Sequence, residues 1–148
     1  MTQRARLLTI LAQDVQDDLL DYRQLELLLP ELHQALLARD NPLIARLNER
    51  IESFCAQVRV RAQRRSKALA ALGLGAGAAA MSSLLQHFSA APRQLLDSGW
   101  QALRAAAARC AEHNERNGQL LAMHHEIIEQ LLGESTRNQL YAPPSHAY

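Results

Sequence analysis

A heptad repeat over residues 2–39 constrains the fold more than any other feature of this sequence. One set of its positions holds Leu8, Val15, Tyr22, Leu29 and Leu36, and the other set, three residues later, holds Leu11, Asp18, Leu25, Leu32 and Arg39. Eight of these ten residues are apolar. Such a repeat is typical of a helix that packs along another helix.

Pro30 lies inside this repeat. A proline in a helix interior costs about 3 kcal/mol and kinks the helix. The heptad phase nevertheless continues unchanged across Pro30. We therefore predict one bent helix with Pro30 on its outer face, rather than two helices in unrelated directions.

Start and stop signals divide the rest of the chain. Asn41 and Pro42 mark a helix start, because Asn is a good N-cap and Pro fits the first helical position. Gly73 supplies the stop. The short connection makes the first two helices antiparallel neighbours. The predicted helices cover residues 3–39, 42–72, 78–88 and 92–132.

These elements predict an all-α fold. A long antiparallel helical hairpin is joined by a third long C-terminal helix in an elongated, coiled-coil-like bundle. Residues 1–133 form the single domain, ended by Gly133, and residues 134–148 form a flexible C-terminal tail. Composition agrees, because 27 Leu and 25 Ala among 148 residues favour helices and 4% aromatic residues disfavour sheets.

Cysteine content and apolar stretches indicate the compartment. Two cysteines exclude a disulfide scaffold, and we expect Cys55 and Cys110 to be reduced core residues. The apolar run at the start is ended by Gln13 and Asp14, too early for a secretion signal. The apolar stretch at 68–81 is too short for a membrane span, which needs about 20 residues. We predict a cytoplasmic protein without membrane insertion.

Charge is unevenly distributed although the net charge is only +1. The middle of the chain carries a basic run formed by Arg59, Arg61, Arg64, Arg65 and Lys67. The run lacks interleaved aromatic residues and any known nucleic-acid motif. We favour a solvated face, or pairing with the acids of the last helix (Glu112, Glu115, Glu126 and Glu129), over binding to RNA, DNA or an anionic surface.

Motifs for catalysis or metal binding are incomplete. The segment from His125 begins like a helical zinc-protease motif, but its fifth position is Glu129 instead of His. His124 and His125 point about 100° apart on a helix and cannot face one metal ion. The glycines between 73 and 77 lack the spacing and the preceding strand of a dinucleotide site. We predict no enzyme activity, cofactor or metal.

The last helix carries an apolar stripe with two polar members. The predicted stripe holds Leu96, Trp100, Leu103, Ala107, Cys110, Asn114, Asn117, Leu121, His124, Ile128 and Leu131. Asn114 and Asn117 are candidates for setting helix register, because a polar residue in such a stripe costs stability but specifies pairing.

The end of this helix is apolar around most of its circumference. Leu120, Met123 and Ile127 form a second line beside the stripe, and Leu131 and Leu132 extend it. One partner helix cannot cover so wide a surface. Either a third helix packs there, or a partner-binding groove is exposed.

Several motifs together resemble one family. Residues 31–40 (ELHQALLARD) are similar to an E-x-x-x-A-L-x-x-[RG]-[DN] helix end, and residues 114–121 (NERNGQLL) to N-x-x-N-G-x-L-[LI]. Trp100 stands near the start of the last helix and Tyr141 after it, as in that family. The family usually has glycine after that Tyr, where this chain has Ala142. The chain resembles the FlgN family of flagellar export chaperones over nearly its whole length.

The resemblance implies a non-catalytic helical chaperone of the cytoplasm. It would hold the C-terminal helices of the hook–filament junction proteins FlgK and FlgL until their export. The implied client-binding residues are Leu120, Met123, Ile127, Leu131 and Leu132. Tyr141 is the implied contact with the export gate protein FlhA. Whether the chain forms a homodimer stays open.

Two readings from other classes are alternatives. A histidine phosphotransfer-like signalling bundle would use His113, which has Arg116 at +3 but glycine at +5 where such domains have it at +4. A structural coiled coil would dimerise through the first two helices and would have no affinity for export substrates.

Overall fold

The computed structural model describes residues 2–141, without the side chains at positions 78, 127–129 and 133–141. This part of the chain contains no strand and four helices: α1 (Gln3–Ala38), α2 (Asn41–Ala71), α3 (Gly77–Leu85) and α4 (Ala90–Tyr141). The all-α prediction is confirmed, and the two hairpin helices lie within two residues of their predicted bounds.

Helix α1 is continuous through Pro30, as predicted. Pro30 itself is half-buried rather than on the outer face. The reason is that α1 packs against both α2 and α4, so that little of its circumference is outer surface.

The turn between α1 and α2 satisfies the backbone groups of both helix ends. Arg39 adopts the left-handed conformation with φ 55°, and the N–H groups of Arg39 and Asp40 donate to the carbonyls of Leu36 and Ala35. This is a Schellman ending. Asp40, rather than Asn41, caps α2, since its Oδ1 accepts from the Leu43 N–H at 3.2 Å. Helix α2 therefore begins one residue before the predicted Pro42.

Helix α4 is longer than predicted. It does not end at Gly133 but continues to Tyr141. One glycine in a helix costs about 1 kcal/mol relative to Ala, which is too little to end a long helix by itself. The predicted helix end at residue 132 is therefore wrong, whereas the domain boundary at residue 133 stays a prediction. Positions 142–148 of the predicted tail lie outside the described residues.

Helix α1 is the central element of the bundle. Helix α2 runs antiparallel to it, whereas α4 runs parallel to it. The α1–α4 hydrogen bonds join residues 83 to 88 positions apart, such as Glu26 with Arg109 and Leu29 with Asn117. Continued along α1, this offset places Ala38 beside residues 121–126 of α4. Helix α4 then extends roughly 25 Å farther, at 1.5 Å per residue.

At one end of the bundle all four helices share a core, which we call the closed end. It is formed by Leu11 and Val15 of α1, Ala68 and Leu69 of α2, Ala80, Met81 and Leu84 of α3, and Leu96 and Leu103 of α4. The short helix α3 thus supplies the fourth wall at this end.

A buried charge network fixes α2 on α1. Asp18 is fully buried, and its carboxylate accepts from Arg61 Nη1 at 3.1 Å and Arg65 Nη1 at 2.8 Å. Arg64 Nε donates to Asp14 at 2.9 Å. The prediction that the basic run pairs with acids of the last helix is therefore wrong, because the acids that it contacts belong to α1. The antiparallel hairpin places the run opposite the acids of α1 instead.

Candidate functional site

The three predicted structural residues of α4 have different surroundings. Asn117 is buried, its Nδ2 donates to the Leu29 carbonyl at 3.0 Å, and its Oδ1 lies 3.0 Å from His33 Nδ1. Asn114 is exposed. Trp100 is half-buried, with the Arg65 guanidinium 5.5 Å from its ring centroid, so that it links α4 to α2.

Half of the predicted stripe of α4 is displaced by one residue. Leu96, Leu103, Cys110, Asn117 and His124 are buried or half-buried as predicted. Trp100 and Ala107 are half-buried too, but Gly99 and Ala106 beside them are buried, and His113 and Leu120 are half-buried where Asn114 and Leu121 are exposed. Gly99 explains the displacement, because a Cβ there would lie 2.7 Å from Gln16 Nε2. The absence of a side chain lets α1 approach α4 closely.

Two positions of the predicted stripe, Ala107 and Asn114, line a groove between α2 and α4, which we call the open groove. Its volume is about 310 Å³. Its floor is Tyr22, Leu25 and Leu29 of α1, its α2 wall is Ile51, Cys55, Val58, Arg59 and Ala62, and its α4 wall is Ala107, Cys110, Ala111 and Asn114. No described helix covers this space.

A second cavity lies farther along α4, beside the α1–α2 turn. It has a volume of about 430 Å³ and is lined by Leu36, Arg39, Asn41, Ile44, Leu121, His124, His125 and Leu131. The two cavities follow each other along α2 and α4. Ile51 of the open groove and Ile44 of the second cavity lie two turns apart on α2.

Burial keeps the two thiols and the phenol of the open groove neutral near pH 7. Burial raises the pKa of the Cys110 thiol to about 11 and also raises the pKa of Cys55. Burial, with a smaller contribution from Asp18, raises the pKa of the Tyr22 phenol. Arg59 therefore carries the single formal charge among the residues that line the groove. The surface is an apolar trough with one cation on its α2 wall.

A comparison with protein families identifies the chain. The family model described as FlgN protein matches residues 1–141. The chain belongs to the FlgN family. No curated protein and no solved structure matches it. FlgN proteins are flagellar export chaperones that bind hook-associated proteins, and the matched residues include all four helices.

The client-binding residues predicted for this FlgN chain do not share one face. Met123, Leu131 and Leu132 are exposed, whereas Leu120 is half-buried against the α1 cluster around Leu32. At 100° per residue, Met123 and Leu132 point about 180° apart. The side chains of Ile127 and Tyr141 lie outside the described residues.

Two further predictions concern other chemistry of this FlgN protein. His113, the candidate phosphate acceptor, is half-buried beside α1 near Glu26, whose pKa is lowered by the hydrogen bonds from Arg109. Among the described residues no three His, Cys, Asp or Glu side chains are placed to hold a metal ion. None of the described helices has the length and apolar character needed to cross a membrane.

Proposed function

We propose that this FlgN protein is a cytoplasmic chaperone that binds the C-terminal helices of FlgK and FlgL and delivers them to the export gate. The observation that supports this proposal is the exposure of four large apolar residues near the end of α4. Leu121, Met123, Leu131 and Leu132 are 49 to 63% exposed. Their side chains spread over about half of the circumference of α4. Exposed apolar side chains on a helix are typical of a site for partner helices.

The chemistry of such a client fits the surface. A junction-protein terminus made of amphipathic helices would self-associate unless its apolar faces were covered. A chaperone helix covers them with side chains of the same type. Because the client must be released for export, we expect a dissociation constant of about 1 μM or somewhat lower, which corresponds to about −8 to −10 kcal/mol.

Calorimetric titration tests the proposal. The protein is titrated with the C-terminal helical segment of FlgK from the same cell, and then of FlgL, at moderate salt. A saturable complex near one to one supports the proposal. Absence of heat and of co-elution at about 50 μM, where weak specific pairs are still detected, would contradict it.

A matched pair of variants locates the client contact. Leu131→Asp should weaken client binding by about 2 kcal/mol or roughly 30-fold, as expected for an apolar side chain that the bound client buries. Leu95→Asp is the control, because Leu95 is equally exposed on α4 but lies at the closed end. Both variants should keep the far-UV helix signal. Equal loss of affinity in the two variants would contradict a client site at the end of α4.

We propose that Tyr141 contacts the export gate, a role that the family resemblance implies for it. Tyr141→Ala should reduce binding of the client-loaded chaperone to the cytoplasmic part of FlhA. The same variant should bind the FlgK segment like the wild type, because Tyr141 lies beyond the exposed leucines. A parallel loss of client affinity would contradict a separate gate-docking role.

A further inference from the structure

We infer that the open groove receives an amphipathic helix of the client, with an acidic side chain opposite Arg59. This inference rests on the proposed function and extends the client site from the end of α4 to the middle of the molecule. The contact surface then runs along α4 from Ala107 to Gly118 and along α2 from Ile51 to Ala62.

The shape of the groove fits a helix. Its two walls and its floor come from three roughly aligned helices, and a further helix would complete a four-helix arrangement. The small side chains of Ala62, Ala107 and Ala111 leave holes in the walls. Holes of this kind accept large apolar side chains from a facing helix.

Gly118 indicates a close approach of a second backbone. It lies in the interior of α4, where glycine costs about 1 kcal/mol relative to Ala. A Cβ at this position would have no atom within 4 Å, in contrast to Gly99, whose Cβ would meet Gln16. No contact among the described residues therefore requires glycine here. Gly118 lies seven residues after Ala111 and three before Leu121, on the same face of α4.

The charge of Arg59 indicates an acidic group on the occupant. Its neighbours Arg61, Arg64 and Arg65 all form ion pairs with α1, whereas none of the ion pairs among the described residues involves Arg59. Arg59 is exposed on the wall of an apolar trough. A carboxylate that reaches the same wall would pair with it.

A second copy of this chain is a poor occupant of the groove. A two-fold dimer through the groove is unfavourable because it sets one concave surface against another and brings two Arg59 side chains together. A convex helix from a different chain avoids both problems.

The two cysteines of the chain report on occupancy, since both line the groove. The wild-type protein is labelled with N-ethylmaleimide at pH 8, with and without the FlgK helical segment, and modification of Cys55 is followed by mass spectrometry. With client at ten times its dissociation constant, labelling should be about tenfold slower, in proportion to the unoccupied fraction. Saturating client that leaves the rate unchanged would overturn the inference.

Variants with matched controls give a second readout. Ala111→Trp should fill the groove and weaken client binding at least about tenfold. Ala105→Trp on the opposite face of α4 should not. Arg59→Glu should weaken client binding roughly fivefold. Arg50→Glu should leave it unchanged, because position 50 lies on the side of α2 about 180° from Arg59. Wild-type affinity in both Ala111→Trp and Arg59→Glu would overturn the inference.

The outcomes separate this inference from the proposed function. Client binding that is lost in Leu131→Asp but retained in both Ala111→Trp and Arg59→Glu keeps the chaperone function and overturns the groove site. Failure of the wild type to bind either client segment overturns the proposed function together with the groove site. A concentration-dependent dimer that protects Cys55 without client would assign the groove to a second copy and overturn the client assignment.

Discussion

The two ends of the bundle differ in what covers α1. At the closed end, α3 inserts Ala80, Met81 and Leu84 into a core shared with the three long helices. Beyond the Arg65–Trp100 contact, α2 and α4 still pack on α1, but no described helix fills the space between them. Nine residues of α3 make the difference between a complete core and an open groove.

Because of this difference, the closed end contributes mainly to stability, and the rest of the bundle keeps apolar surface for a partner. Apolar side chains at the closed end are buried by the chain itself and contribute to the free energy of unfolding. Apolar side chains that line the open groove or lie near the end of α4 remain partly exposed, so that their burial is available to a partner. A substitution should therefore change stability at one end and affinity at the other.

Truncation of a leucine at each end gives the largest expected contrast. Leu84→Ala should lower the free energy of unfolding by about 3 kcal/mol, because Leu84 is fully buried and its removal leaves a cavity. Leu121→Ala should lower it by less than about 1 kcal/mol, because this side chain is half exposed. Urea unfolding followed by circular dichroism measures both. Similar losses in the two variants would show that the ends do not differ in stability.

Alkaline pH should weaken the fold through Cys110. Its pKa is about 11 in the folded chain, so the unfolded chain ionises first as the pH rises above about 9. The free energy of unfolding should then fall by about 1.4 kcal/mol per pH unit between about pH 9 and pH 11 on account of this thiol.

Cys110→Ala isolates this contribution, because the ionisation of other groups is common to both proteins. Urea unfolding of wild type and variant under reducing conditions at pH 8, 9 and 10 measures the difference. A difference that stays constant with pH would mean that the Cys110 thiol ionises as readily in the folded chain as in the unfolded one.

The smallest expected effect is the most specific one. Gly118→Ala should raise the free energy of unfolding by about 1 kcal/mol, since Ala favours the helix and its Cβ meets no atom. The same change should weaken client binding if a partner helix approaches there. Thermal unfolding of this variant measures the expected gain in stability, and calorimetric titration measures the expected loss of client affinity. A rise in both stability and affinity would exclude a close approach at Gly118.

The sequence predicts the helices better than their contacts. The heptad repeat and the signals at Asn41 and Gly73 are local, and they place α1 and α2 within two residues. The end of α4 is not predicted, because a single glycine at position 133 is a weak helix stop. The continuity of α1 through Pro30 is correctly inferred from the unchanged phase of the repeat.

The contacts depend on information that a periodic pattern does not contain. The deepest burial on α4 falls on Gly99 and Ala106, one residue before the predicted Trp100 and Ala107, and the close approach of α1 at Gly99 accounts for this shift. The pairing of Arg61 with Asp18 can be predicted from the sequence, since an antiparallel hairpin with its turn at 39–40 sets these positions opposite each other. The open groove cannot be predicted in this way, because it exists where no helix packs between α2 and α4.

The parallel arrangement of α1 and α4 has a consequence for synthesis of the chain. Helix α1 can pair with α2 once about 71 residues exist, but its contacts with α4 join residues 83 to 88 positions apart. At 5–20 residues per second, the ribosome needs roughly 2 to 9 s to proceed from the end of α2 to Asn117. During those seconds the side of Leu25 and Leu29 that α4 will cover faces water. A newly made chaperone therefore passes through a stage in which it exposes the same kind of apolar helical surface as the clients that we propose for it.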